Sequence, residues 1–310
     1  MAHADARTLR VLLLGTINRD QLLFADSSGR LTRQDSLGGA CYSLLALKAL
    51  LPAARLNARL LAGLDLTHEL TAILAGSGNA PGEVLWRDRA SNRVELDCRD
   101  PEHKRERSWL TVGGYTLDEC PAGPWDAVLL NFTSGREFSL RGWSHWRRIL
   151  RDTARPPFLQ LDLHSLSLDA RAGRARRLRP LHRWQEWLRD LDLLQLTLDE
   201  CACLAPHSPL TLADTGDLLG ELHGLGIGEI VITDAARGFM HSRPGMSRHW
   251  PALEACVVES TGCGDVLGAA LLAGTLCGLP DELRLARARQ AATLNLSLCG
   301  PEQLDRLARL

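Results

Sequence analysis

Lysine is almost missing from this 310-residue sequence: Lys48 and Lys104 are the only two among 36 basic residues, which leaves 34 arginines. That skew reads as a compositional habit of the source rather than a binding signal. Excess charge is missing too. The formal net charge is −1, so no global field draws the chain to nucleic acid or to an acidic membrane, and neither partner is expected. No apolar run approaches the length of a membrane span. The run in "RVLLLG" near the N-terminus is too short for a secretory core, and a soluble, cytoplasmic protein is expected. No C-x-x-C pair occurs. The nine cysteines are scattered, the closest being Cys201 and Cys203, and their spacing fits no zinc-ligand pattern; reduced thiols are expected. Nor is there a G-x-x-x-x-G-K-[ST], which excludes a P-loop nucleotide site at the level of motif.

What is present is ordinary globular material, 45% hydrophobic and 24% charged. "RVLLLG" (10–15), "ARLLAG" near Leu60, "DAVLLNF", "PFLQLDLH", "LDLLQLT" and "GEIVITD" are short apolar runs. Most end in a polar residue, and helical or charged segments separate them. That grammar predicts βα units on a mostly parallel sheet. "GGACYSLLALKALL" and "LTHELTAILAGSG" predict helices, the second ended by glycine, and the last 50 residues are helical in pattern. From Gly82 to Gly114 the pattern changes. "NRVELDCRD" and "RERSWLTVGG" alternate apolar with polar around the turn-like "DPEHK", which predicts an antiparallel hairpin with one face solvated. No repeat or low-complexity linker divides the chain, so one α/β domain with a small antiparallel element is expected.

Ligands bind such sheets outside the carboxyl ends of the strands. Asn18, Asp20, Asn131, Asp162, His164, Gln195, Thr197 and Asp234 are all expected at or just past a strand end, on one rim. "GLGIG" (224–228) precedes a strand, whereas a dinucleotide fingerprint follows one, so it reads as a helix cap and turn. "ESTGCGDVLGAALLAG" (259–274) is more telling. Gly262, Cys263 and Gly264 run into Asp265 and an apolar helix. Small residues let backbone N–H groups converge at the helix N-terminus, a point suited to a phosphoryl group. A carboxylate beside an anion site fits a general base that takes the proton from an attacking hydroxyl. It equally fits an acid that merely complements the helix dipole.

This last stretch resembles the C-terminal signature of the ribokinase/PfkB carbohydrate kinases, D-T-x-G-A-G-D followed by a helix, with Glu259, Ser260 and Cys263 at the altered positions. The resemblance extends from Arg10 to about Gly300. It implies a ribokinase-like three-layer αβα sandwich with a small β-lid from about 16–36 and 84–114. By resemblance Asp265 is the catalytic base and Gly262, Cys263 and Gly264 form the anion hole. "GTINRD" is similar to the family's N-x-D and assigns Asp20, with Asn18 beside it, to the acceptor. "GGACYS" is similar to G-G-x-x-x-N and assigns Gly38 and Gly39, with Ser43 in place of the asparagine. Asn131 is expected to help orient the acceptor.

The nucleotide half departs from the family. N-x-x-E reads "TLDE", which keeps Glu200 for magnesium and puts Thr197 in place of the amide. T-x-G-x-x-G reads "TDAARG", which keeps Thr233 and Gly238 beside Asp234. Ala235 replaces a glycine there; alanine disfavours a left-handed turn, so another loop path is expected. The function implied is ATP-dependent phosphorylation of a small sugar, polyol or nucleoside, with Mg²⁺ and room for a monovalent cation. Relatives of this kind pair through the lid, so a homodimer is a further expectation. Two readings compete. One is a non-catalytic sugar- or nucleotide-binding relic of the same fold, and the other is metal-dependent hydrolysis using Asp162, His164, His241 and His249.

Overall fold

The computed structural model describes residues 8–25, 30–75, 84–99, 105–169, 171–204 and 211–310. The apolar runs do form strands, and their order follows from which way the chain winds. β1 (Arg10–Ala25) lies between β3 (Arg55–Gly63) and β7 (Ala127–Asn131), parallel to both. From β3 the sheet continues to β4 (Leu85–Arg87). On the other side, β7 is followed by β8 (Phe158–Asp162), β9 (Leu193–Thr197) and β10 (Glu229–Thr233), all parallel. The winding therefore reverses between β1 and β7, which opens a crevice at their carboxyl ends. Two strands that the sequence reading missed, β11 (Phe239–Arg243) and β12 (Met246–Trp250), close this edge as antiparallel neighbours.

Side-chain alternation sends each strand into two cores. Val11, Leu13, Ala127 and Leu129 face one layer, while Leu12, Leu14, Val128 and Leu130 face the other. Burial on both faces is why these strands read as unbroken apolar runs. The first layer is built by α1 (Cys41–Leu50), α2 (Thr67–Ala75), α7 (Cys263–Leu276) and α8 (Asp281–Leu296). The second contains α3 (Leu140–Arg151), α4 (Trp184–Leu188), α5 (Leu198–Cys201) and α6 (Gly216–Gly224). The expected three-layer α/β sandwich is what the chain forms. Gly226, at φ +84, donates its N–H to the His223 carbonyl just past α6, the helix cap read from "GLGIG". Among the described residues no helix is long and apolar enough to cross a membrane, and no disulfide joins two of the cysteines.

β1 does not stop at Gly15. It runs on for ten residues beyond, leaves the large sheet and enters a small one of order β2-β1-β5-β6, with β2 (Leu31–Gly39), β5 (Asn92–Asp97) and β6 (Arg105–Trp109). Asn18 and Asp20 are thus mid-strand, not past a strand end as the sequence reading expected. The β5–β6 pair is the hairpin read from the alternation, whereas β4 belongs to the large sheet. The expected turn at 100–104, the glycines at 76 and 78 and Gly82 lie outside the described residues. "LEACVV" (253–258), ahead of α7, forms no strand. Beyond it, the edge of β6 is tied to the body. Gly173 and Arg176 donate backbone N–H groups to the carbonyls of Ser108 and Glu106. The Arg176 guanidinium, 1% exposed, bonds Glu106 Oε1 at 2.8 Å and Ser165 Oγ at 2.9 Å. Removing it leaves Glu106 without its counter-charge. Arg176→Ala is expected to lower unfolding free energy by roughly 1.5–3 kcal/mol, the range of a charge-assisted hydrogen bond. Urea denaturation checks this.

Candidate active site

At the crevice, polar residues interrupt strands that are otherwise apolar. On β8 and β9 the positions facing α7 are Gln160 and Gln195, both buried. Gln160 Nε2 bonds the Gly268 carbonyl at 2.9 Å and Gln195 Nε2 bonds the Gly264 carbonyl at 2.8 Å. A Cβ at Gly268 would stand 2.7 Å from Gln195 Oε1. Two glycines one helical turn apart therefore let the start of α7 sit close against the sheet, and the glutamines hold it there. Gln195 Nε2 also reaches Asp162 Oδ2 at 3.2 Å. Gln160 had no signal in the sequence beyond being an amide in an apolar run, and its role was missed.

This packing fixes Asp265. Its Oδ1 accepts from Asn131 Nδ2 at 2.8 Å and, at 3.4 Å, from Ser43 Oγ, and Asn131 Nδ2 also donates to Ser43 Oγ at 2.6 Å. The carboxyl is therefore gripped by β7 and α1 through one oxygen. Burial pushes it up to about 6, against the opposing effects of His164 and of its bonds from Asn131 and Ser43. Asp162 is likewise raised, by burial and then by the Asp265 charge. Ahead of Asp265, Gly262 caps α7 at φ +76, ψ 0. The Cys263 side chain turns toward α8, where its sulfur takes a 3.1 Å bond from Asn295 Nδ2, so this residue offers only its backbone to the crevice. The first N–H groups of any helix have no partner within it; here that of Cys263 reaches back to the Ser260 carbonyl at 3.4 Å.

The small sheet roofs the same crevice. Asp20 is buried, and its Oδ1 has no partner. Its carboxyl lies well above the ordinary range because of burial, reinforced by Glu106, Glu259 and Asp265 and opposed by His164. Gly38 leaves the space that the Asp20 carboxylate fills, since a Cβ there would collide with it; Gly39, at φ +61, lies against Asn18. Asn18 Oδ1 accepts from Asn92 Nδ2 at 3.2 Å, so this side chain braces the small sheet.

His164 follows β8 with φ +29, and its side chain is 45% exposed. Burial disfavours its charge, but Glu200, Asp162 and Glu106 outweigh that and lift it to about 10. Its Nδ1 stands 3.9 Å from Glu200 Oε1, an ion-pair distance too long for a hydrogen bond. Glu200 Oε2 is engaged by the Thr197 N–H at 2.9 Å, and Thr197 Oγ1 accepts from the Glu200 N–H at 3.1 Å in return. Thr197 and Thr233 are register partners at the ends of β9 and β10. Asp234 gives both oxygens to Arg237, at 2.6 and 2.7 Å. Ala235 corrects an expectation: it adopts φ +44 despite its side chain, and Gly238 follows at φ +97. A left-handed alanine costs about 1–2 kcal/mol, which the Asp234–Arg237 clasp helps offset.

The histidines expected of a hydrolytic metal centre are dispersed. His241 bonds Glu229 Oε2 at 3.0 Å within a buried network that includes Arg284 and Arg243, and His249 bonds the Arg237 carbonyl. Among the described residues no group of three or more His, Cys, Asp or Glu could hold a metal ion. A separate cavity of about 490 Å³, bordered by Arg87, Arg89, Thr111 and Arg136, contains none of the residues above.

The fold is that of the ribokinase-like sandwiches. It is similar to ribokinase from Cryptococcus neoformans var. grubii serotype A in complex with ADP (16% identity, 98% of this chain and 100% of that one, TM-score 0.76). It is similar also to a pyrophosphate-dependent kinase of the ribokinase family (17%, 97% and 100%, TM-score 0.77). A third likeness is to the Burkholderia thailandensis nucleoside kinase in complex with inosine (15%, 95% and 93%, TM-score 0.72). No curated protein matches the sequence. The family model for "pfkB family carbohydrate kinase" matches residues 172–303. Sequence model and fold agree: one stretch of the chain matches that family model, and the whole has the ribokinase-like fold. The two matches together support a PfkB-type phosphotransferase acting on a small polar acceptor.

Proposed function

We propose that the protein is an ATP-dependent kinase that phosphorylates a hydroxyl of a small sugar, polyol or nucleoside, with Asp265 as general base. The observation that carries this reading is the position of one carboxylate. Asp265 is fixed through Oδ1 by Asn131 and Ser43, in the first turn of α7, which Gly262 caps. The acceptor hydroxyl gives its proton to Asp265 as its oxygen attacks the γ-phosphorus of ATP, the bond from that phosphorus to the bridging oxygen breaks and ADP leaves, and the Gly262, Cys263 and Gly264 backbone stabilises the charge that develops. Asp20, Asn18, Gly38, Gly39, Ser43 and Asn131 border the acceptor's place. Thr197, Thr233, Asp234 and Gly238 border that of the nucleotide. The small sheet serves as the lid, excluding water so that transfer outruns hydrolysis.

Magnesium fits only in part. It binds mainly through donor phosphates and waters with one or two carboxylates. Glu200, one oxygen engaged by Thr197 and the other facing His164, suits contact through water rather than direct ligation. Bound there, the ion would neutralise phosphate charge.

The test is a transfer assay with ATP and pyrophosphate as donors against a panel of sugars, polyols and nucleosides. No transfer from either donor to any acceptor, with binding intact, would establish the binding relic instead. The pH dependence is a second check. Asp265 acts ionised, so kcat/KM is expected to hold above about 6 and to fall roughly tenfold per pH unit below it. The inflection belongs to the Asp265–Asp162 pair rather than to one residue. A limb near 4 would mean an unperturbed carboxyl and a different base.

A further inference from the structure

The turn after β8 holds a histidine where the backbone suits glycine. The Leu163 N–H bonds the Gln195 carbonyl of β9 at 3.0 Å, and the Ser165 N–H bonds the Phe132 carbonyl past β7 at 2.9 Å. His164 lies between these two ties and takes φ +29, on the side of backbone space that a side chain disfavours. Strained residues of this kind persist where their surroundings fix them, and they gather at sites that bind or react. Asp162, two residues earlier, is the register partner of Asn131 on one side and of Gln195 on the other. His164 therefore stands at the seam between the strand whose Asn131 holds Asp265 and the strand that leads into Thr197 and Glu200.

Acids surround this imidazole, yet none is hydrogen-bonded to it. Nδ1 is 3.9 Å from Glu200 Oε1, the side chain is 45% exposed, and among the described residues neither ring nitrogen has a hydrogen-bond partner. Two arginines of the site are already spent, Arg176 on Glu106 and Ser165, and Arg237 on both oxygens of Asp234. Burial disfavours charge on His164, but Glu200, Asp162 and Glu106 keep it positive. Its charge acts in turn on Asp20, Asp162 and Asp265. His164 thus faces the acids of both halves of the crevice with its N–H groups unspent. A positioned cationic N–H of that kind suits phosphate oxygens, and most of all those of a phosphoryl group in transit.

Resting on the proposed kinase reading, we infer that His164 is a catalytic residue, which binds an oxygen of the donor's terminal phosphoryl group through a ring N–H and stabilises that group in transfer. The γ-phosphorus leaves the bridging oxygen of ADP for the acceptor oxygen, and the acceptor's proton goes to Asp265. His164 keeps its own proton throughout.

The experiment uses His164→Gly and His164→Arg, since glycine accepts a positive φ without strain and arginine keeps a cationic donor. Calorimetry measures binding of ADP and of β,γ-imido-ATP, and kcat is measured with ATP and with pyrophosphate. His164→Gly is expected to lower kcat about 10²-fold, the low end of the cost of one lost oxyanion donor, with little change in acceptor KM. It should weaken imido-ATP by about tenfold, the weight of one hydrogen bond to a charged group, and ADP hardly at all, because ADP lacks the terminal phosphoryl group. His164→Arg should recover part of both losses. A histidine that served only as counter-charge to Glu200 would weaken the two nucleotides alike. That result, or an unchanged kcat in His164→Gly, would overturn the inference and leave the kinase reading intact. Selective loss of imido-ATP in His164→Gly, with no transfer by the natural protein to any acceptor, would support the inference and overturn the kinase reading. A natural protein that neither binds these nucleotides nor uses either donor would overturn both.

Discussion

Asp265→Asn is expected to reduce turnover by roughly 10²–10⁴-fold, the range for loss of a positioned general base, while leaving acceptor and donor binding largely intact. Asparagine is almost isosteric and keeps a side-chain oxygen for the Asn131 and Ser43 donors, now held at 2.8 and 3.4 Å. The geometry should survive, and only basicity is removed. The effect on stability has the opposite sign. A carboxyl raised to about 6 in the folded chain binds its proton more tightly there than in the unfolded chain. Stability therefore falls as pH rises from the ordinary Asp range through about 6. At neutral pH the ionised, buried group is a liability, aggravated by Asp162 beside it. Asp265→Asn should thus melt no lower than the natural protein at pH 7, and higher if the repulsion is relieved. A variant that loses activity and melts lower would point to a structural role. A variant that keeps its turnover would remove Asp265 from the chemistry.

That opposition of stability and activity indicates what could be read from the sequence. The apolar runs specified both the parallel strands and their two-faced burial, because burial on both faces demands unbroken hydrophobic residues. Period-two alternation marked β5 and β6. Asp265 was legible because glycine, acid and helix adjoin along the chain. The residues that position it were harder to see. Gln160 and Gln195 act across the gap between sheet and helix, through carbonyls of Gly264 and Gly268 that are distant in sequence. The continuation of β1 into a second sheet was hidden because "INRDQLLFA" lacks a turn signal at the crossing and does not alternate cleanly. β11 and β12 escaped because "FMHSR" and "MSRHW" are short and rich in polar residues, β12 lying at the edge of the sheet. Ala235 shows the limit of a local rule. The penalty on a left-handed alanine is small beside the stability of a whole domain, so the loop keeps a conformation that its composition argues against.

Gly262→Ala is expected to be the other severe change, for a reason independent of proton transfer. The residue stands at φ +76, where a side chain is strained by about 1–3 kcal/mol, and a Cβ would be driven into the Tyr42 ring. Tyr42 is 2% exposed on α1, packed beside the Ser43 that holds Asp265, and has no free direction in which to move. Either α1 shifts or the peptide ahead of α7 rotates, and both take the N–H groups off the line they share with Asp265. Loss of one such donor lowers kcat by roughly 10²–10³-fold in enzymes that stabilise an oxyanion, and the strain should lower the melting temperature as well. The two variants differ in their pH profiles. Gly262→Ala retains the base, so its residual activity should still fall below about pH 6, whereas the residue of activity in Asp265→Asn should be flat across that range. If Gly262→Ala were as active as the natural protein, the helix N-terminus would not be where phosphate charge is held, and the carboxylate beside it would need another explanation.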